Sequence, residues 1–175
     1  TMLYYWVKAF NSATTSAFSS TDWGFCKLRP DPEIISGQPA VGDYDGDNRA
    51  DPAVYDLASG RLFAWLSAAS YLLVTPVVTF RMTVGDLPVA GDFDGDGLAD
   101  PGVFNPESGS WHVWLSSAGY QRAGPVLMGL NASDIPIPAD FDGDGLTDPA
   151  VYHAGVGEWR VWLSSAQYAS QGPFT

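Results

Sequence analysis

Leu87 to Tyr120 reads LPVAGDFDGDGLADPGVFNPESGSWHVWLSSAGY, and the stretch returns twice with small changes. QPAVGDYDGDNRADPAVYDLASGRLFAWLSAASY spans Gln38 to Tyr71, and IPIPADFDGDGLTDPAVYHAGVGEWRVWLSSAQY spans Ile135 to Tyr168. Asp43, Asp92 and Asp140 are equivalent, at spacings of 49 and 48, and Trp65, Trp114 and Trp162 keep the same two intervals. A fixed period of this size marks a repeat architecture in which each unit is one supersecondary module.

Each unit parses into short strands. In the second, Pro88–Gly91 is a first strand, a polar loop comes next, and Gly102–Asn105 is a second strand. PESG supplies turn residues, SWHVWLSS is a third strand, and a weaker apolar run reaches Met128. Four strands in about 48 residues is the size of one propeller blade. Side chains alternate faces along a strand, so Trp159, Val161 and Leu163 oppose Trp162, and bulk on both faces calls for sheets covered on both sides. No 3.6-residue apolar period is present, which excludes helical and leucine-rich solenoids.

The units are expected at 38–86, 87–134 and 135–175, with 1–37 a partial or degenerate blade in a single repeat domain. LYYWV at Leu3–Val7 aligns with WHVWL at Trp111–Leu115, and about ten extra residues then fall between Ser19 and Gly37. The chain is read as opening at one third strand and closing just after another, about three and a half to four blades. The 19–37 segment completing a small ring, two or more chains sharing a ring, and further blades in a longer protein are the three ways to complete it. Terminal faces bearing Trp and Leu favour self-association, a homo-oligomer.

Every unit also carries D-x-D-x-D-x-x-x-D: Asp43, Asp45, Asp47 and Asp51; Asp92, Asp94, Asp96 and Asp100; Asp140, Asp142, Asp144 and Asp148. Twelve of the 20 acidic residues sit in these loops. Two like charges ~5 Å apart repel by roughly 3 kcal/mol at an effective dielectric of about 20, so a compact loop needs a cation. Calcium suits it: a hard ion taking oxygens from positions 1, 3, 5 and 9 and the backbone carbonyl at 7, here Arg49, Leu98 and Leu146. Three ions, one per loop, are expected. Gly97 and Gly145 permit the sharp turn at position 6, where Asn48 stands in the first loop. These are not EF-hands, because position 12 is Val54, Val103 and Val151 and no helix pattern flanks them.

These motifs resemble the FG-GAP/VCBS repeat family of calcium-loop blades in integrin α-subunit propellers and bacterial secreted or surface proteins. The marks are PAVGDYDGDNRADPAVY, PVAGDFDGDGLADPGVF and PIPADFDGDGLTDPAVY, each followed by G-x-W-x-V-W-L-S-S or a close variant. The resemblance implies an all-β fold of propeller-type blades, one calcium per loop, and adhesion or ligand binding rather than catalysis.

Composition narrows the partners. With 8 Lys+Arg against 20 Asp+Glu, the net charge is −12, so nucleic acid is not an expected partner. No apolar run approaches the roughly 18 residues of a membrane-spanning helix, and no signal peptide is read at the N-terminus. Cys26 is the one cysteine, which excludes an internal disulfide. His112 and His153 recur with no nucleophile and read as structural, so no enzyme is expected. Six tryptophans occupy repeat positions and read as core, leaving Trp23 free as a ligand platform. The SSA(G/Q)Y runs at Ser116–Tyr120 and Ser164–Tyr168 read as turns, with rim hydroxyls that could meet a glycan. The expectation is a calcium-binding, non-catalytic, extracellular or cell-surface scaffold for a protein or glycan ligand. A lectin and an accessory domain of a larger secreted hydrolase are the alternatives.

Overall fold

The structure is a computed structural model that describes residues 37–73, 77–83, 85–128 and 132–175. The segment 1–37, expected as a partial blade and holding Trp6, Trp23, Cys26 and the extra residues after Ser19, lies outside the described residues except for Gly37. Residues Ile35–Thr175 form one compact unit.

That unit is all-β, with three antiparallel sheets laid out in chain order. The first joins β1 (Gly37–Pro39), β2 (Ala53–Asp56), β3 (Arg61–Leu66) and β4 (Leu72–Leu73), with β5 (Val78–Thr79) also paired to β3. The second is β6 (Leu87–Gly91), β7 (Asp100–Asn105), β8 (Ser110–Leu115) and β9 (Gln121–Leu127). The third is β10 (Asp134–Pro136), β11 (Ala150–His153), β12 (Glu158–Leu163) and β13 (Ala169–Phe174), with a single 3-10 turn at Ser164–Ala166. None of the sheets closes into a barrel.

Consecutive strands pair as a meander, and the register repeats from sheet to sheet. Val54 faces Phe63, Val103 faces His112 and Val151 faces Arg160. The fourth strand shifts register at one place in the second and third sheets, between Trp111 and Val113 and between Trp159 and Val161. Gly124 and Gly172 sit at these bulges with φ of 96° and 103°. A Cβ there would meet the carbonyl oxygen of Trp111 or Trp159 at 2.7 Å, and proline comes after each glycine where the disturbed ladder asks for no donor.

One expectation is corrected here. The chain does not stop just after a third strand, because Ala169–Phe174 forms β13 and completes a four-stranded third sheet. Every residue of β13 is exposed, so no burial imposes an apolar alternation.

The core lies between sheets. Ala40, Tyr55, Leu62 and Phe80 of the first unit pack with Ala99 and Val103 of the second. Val89, Phe104, Trp111 and Met128 of the second pack with Val151 and Trp162 of the third. Trp114 joins the first cluster, its ring stacked on Phe80 with centroids 4.0 Å apart. The third sheet departs from the expected cover on both faces. Phe141 is 44% exposed and Ile137 37%, whereas their counterparts Tyr44 and Ala40 are 7% and 5%.

Candidate functional site

Each aspartate loop connects the first strand of a sheet to the second. A backbone bridge pins its base: Gly42 pairs with Asp51, and Ala139 pairs with Asp148. Inside the loop the carboxylates turn back onto the chain. Asp43 takes the N–H groups of Gly46 and Asn48 at 2.7 Å each. Asp92 does the same for Gly95 and Gly97 at 2.6 and 2.8 Å, and Asp140 for Gly143 and Gly145 at 2.6 and 3.0 Å. Asp47, Asp96 and Asp144 accept the N–H of Arg49, Leu98 and Leu146 at 2.8–2.9 Å. Short loops rich in Asp and Gly favour these side-chain-to-backbone turns. Asn48 adopts φ 66°, beside 88° and 92° for Gly97 and Gly145, so asparagine fills the left-handed position.

The ninth-position aspartates have a second task. Asp51, Asp100 and Asp148 are fully buried. Each takes one N–H from its own loop, those of Tyr44, Phe93 and Phe141 at 2.8–2.9 Å. Each takes another from the turn after the third strand, those of Ser67, Ser116 and Ser164 at 2.7 Å. They therefore tie the loop to the turn between the third and fourth strands, at the same end of the sheet. Burial pushes the Asp100 carboxyl above the usual range, against the N–H groups of Ser116 and Phe93 and the pull of the Ser116 hydroxyl. Tyr120 and Tyr168 are pushed up as well, first by burial and then by Asp100 and Asp96 or Asp148 and Asp144.

The serines of that turn carry more than the sequence signalled. The hydroxyls of Ser67, Ser116 and Ser164 donate to Asp47, Asp96 and Asp144 at 2.7–2.8 Å. Ser117 and Ser165 donate to Asp94 and Asp142, while Ala68 offers only its N–H to Asp45. The recurrence of S-S or S-A right after W-L was the available signal. It reads as a turn, and its second role needs the turn to fold over the loop.

Carboxylate oxygens converge in all three loops. Those of Asp43, Asp45 and Asp51, of Asp92, Asp94 and Asp96, and of Asp140, Asp142 and Asp148 lie within 4.8 Å of one another, so each group can hold a metal ion. Asp47, Asp100 and Asp144 lie outside these groups. Arg49, Leu98 and Leu146 are placed at each loop's closing turn through their N–H groups. Every converging ligand atom is a carboxylate oxygen, a hard set suited to a hard cation.

The two histidines lie elsewhere. His112 sits on β8 against Arg122, whose guanidinium approaches its ring nitrogens at 2.7 and 3.0 Å. Burial and then the Arg122 charge hold it below the ordinary histidine range. His153 meets Asp134 at 2.9 Å and Ser133 at 3.2 Å, both through Nδ1. Among the described residues no helix is long and apolar enough to cross a membrane.

No protein-family model matches the chain, and no curated protein or solved structure matches it.

Proposed function

We propose that the chain is a calcium-binding, non-catalytic module of the FG-GAP/VCBS type, its three sheets acting as propeller-type blades in an extracellular interaction scaffold. The observation that carries this is the convergence of three carboxylates within 4.8 Å in each of three loops at the same place in the repeat. Left bare, each pair at that spacing repels by roughly 3 kcal/mol at an effective dielectric of about 20, which backbone N–H groups only partly offset. A divalent cation removes the repulsion. Calcium is favoured over magnesium because magnesium prefers to keep several of its waters, whereas calcium takes six to eight oxygens in adaptable geometry. The carboxylates of positions 1, 3, 5 and 9 and the position-7 carbonyls would hold it. One ion per loop would stabilise the loop and, through Asp51, Asp100 and Asp148, the turn beyond it.

Calorimetric titration of chelator-stripped protein with calcium tests the assignment. About three equivalents are expected, with a rise in melting temperature; no heat and an unmoved melting curve would refute it.

A further inference from the structure

A cavity of about 550 Å³ opens between the segment leading into β6 and the strands β7, β8 and β9. Its volume is in the range of small-molecule pockets. Arg81 and Arg122 both line it, and neither forms an ion pair among the described residues. That is unusual company for two guanidiniums in a chain of net charge −12, where carboxylates are in surplus. The closest partner of Arg122 is the uncharged His112 ring, which orients the guanidinium without neutralising it. Asp86, also in the wall, has both oxygens occupied, by Asn105 at 2.7 Å and by Thr83 at 2.6 and 2.9 Å. It serves the wall's own hydrogen bonds rather than either arginine.

The remaining lining includes hydroxyls, an amide, one aromatic ring and a carboxylate: Ser108, Ser110, Asn105, Trp114 and Glu107. Stacking on Phe80 fixes the Trp114 ring. Such a set matches a polyhydroxylated ring, with donors and acceptors for hydroxyls and an aromatic surface for C–H groups. The repeat does not demand these residues. His112 is Phe63 and Arg160 in the other sheets, and Arg122, opposite Trp114, corresponds to Leu73 and Ser170. The loop aspartates and the third-strand tryptophans, by contrast, recur in every unit.

We propose that this cavity binds an acidic saccharide, with the sugar carboxylate held by Arg81 and Arg122 and the ring hydroxyls by Asn105, Ser108 and Ser110. The assignment deepens the binding role proposed above and does not require calcium in the loops. Of the two carboxylates in the wall, Asp86 is held by Asn105 and Thr83, which leaves the guanidiniums as the charged donors for a sugar carboxylate.

The test titrates the full chain, calcium-loaded, with cellobiouronic acid and with cellobiose, following binding by NMR. Saturable binding of the acid and about tenfold weaker binding of the neutral sugar are expected. Arg81→Ala and Arg122→Ala should each weaken the acid, and the double variant should bring it down about tenfold, to the affinity of the neutral sugar. Calcium titration of the same variants reports separately on the loops and on folding. Intact calcium binding with no saturable sugar binding into the millimolar range would overturn the cavity assignment and leave the scaffold standing. Equal affinity for the two sugars, or acid binding indifferent to both arginines, would also overturn it.

Discussion

The backbone N–H of Ala99 donates to the carbonyl of Asp43 at 2.6 Å, so the second aspartate loop hangs directly on the first. The third repeats the arrangement, with Thr147 donating to Asp92 at 2.6 Å. Each loop thus receives its neighbour at the residue that begins its own cation cluster. Whatever orders Asp43 or Asp92 therefore also orders the next loop.

This close approach explains a pair of glycines. A Cβ on Gly42 would lie 2.6 Å from the Ala99 Cβ, and one on Gly91 would lie 2.5 Å from Thr147 side-chain atoms. Gly91→Ala should therefore destabilise the protein by about 1–3 kcal/mol through overpacking, measured by urea denaturation. Ala139 holds the equivalent place in the third unit and is exposed, which makes it the natural control. Ala139→Gly should change stability by no more than about 1 kcal/mol. A neutral Gly91→Ala would show that the loops do not pack as tightly as the hydrogen bond implies.

The repeat and its aspartates were legible because the same residue types return at fixed intervals, and strands 87–91 and 110–115 carry clear apolar patterns. β13 was not, since Ala169–Phe174 is exposed throughout and holds a Gly–Pro pair at its bulge. The Ala99–Asp43 link joins backbone atoms 56 positions apart and leaves no trace in side-chain identity. Ser67, Ser116 and Ser164 were visible only as turn formers, because their carboxylate partners are 20 residues upstream. Arg81 and Arg122 share a cavity only because the meander returns β9 beside β8.

Asp94 offers a test of whether the cation sites are separable. Its carboxylate belongs to the second cluster and is bonded to Ser117 at 2.7 Å. Asp94→Ala should remove one of about three calcium equivalents and leave the others measurable by calorimetry. The melting temperature in calcium should fall with it. The lost site is worth about 2.7 kcal/mol when calcium stands at about 100 times its Kd. Loss of every equivalent would mean that the stacked loops fill as one.

Asp100 tests the structural half of the site. It is fully buried and receives N–H groups from Phe93 and Ser116, so Asp100→Ala strands two part-buried donors. In calcium-free protein the cost should be roughly 1–3 kcal/mol for each donor left without a partner, read by denaturant unfolding. Ser116→Ala keeps the backbone donor and removes only the hydroxyl given to Asp96, so its cost should be clearly smaller. Equal costs for the two would place the anchor in the hydroxyl instead.

His112 gives the pH dependence. Burial and then the Arg122 guanidinium lower its pKa from the ordinary value near 6.5, while Asp86 pulls weakly upward. The folded protein therefore binds this proton less readily than the unfolded chain. The stability it contributes is present above about 6.5 and is lost as the pH falls through the lowered folded value. Arg122→Ala removes one of the two lowering causes, so the His112 midpoint should rise toward 6.5 in an NMR titration of its ring protons. It should stop short of full recovery, because the burial remains. A His112 midpoint that stayed put would mean that Arg122 does not face the ring in solution.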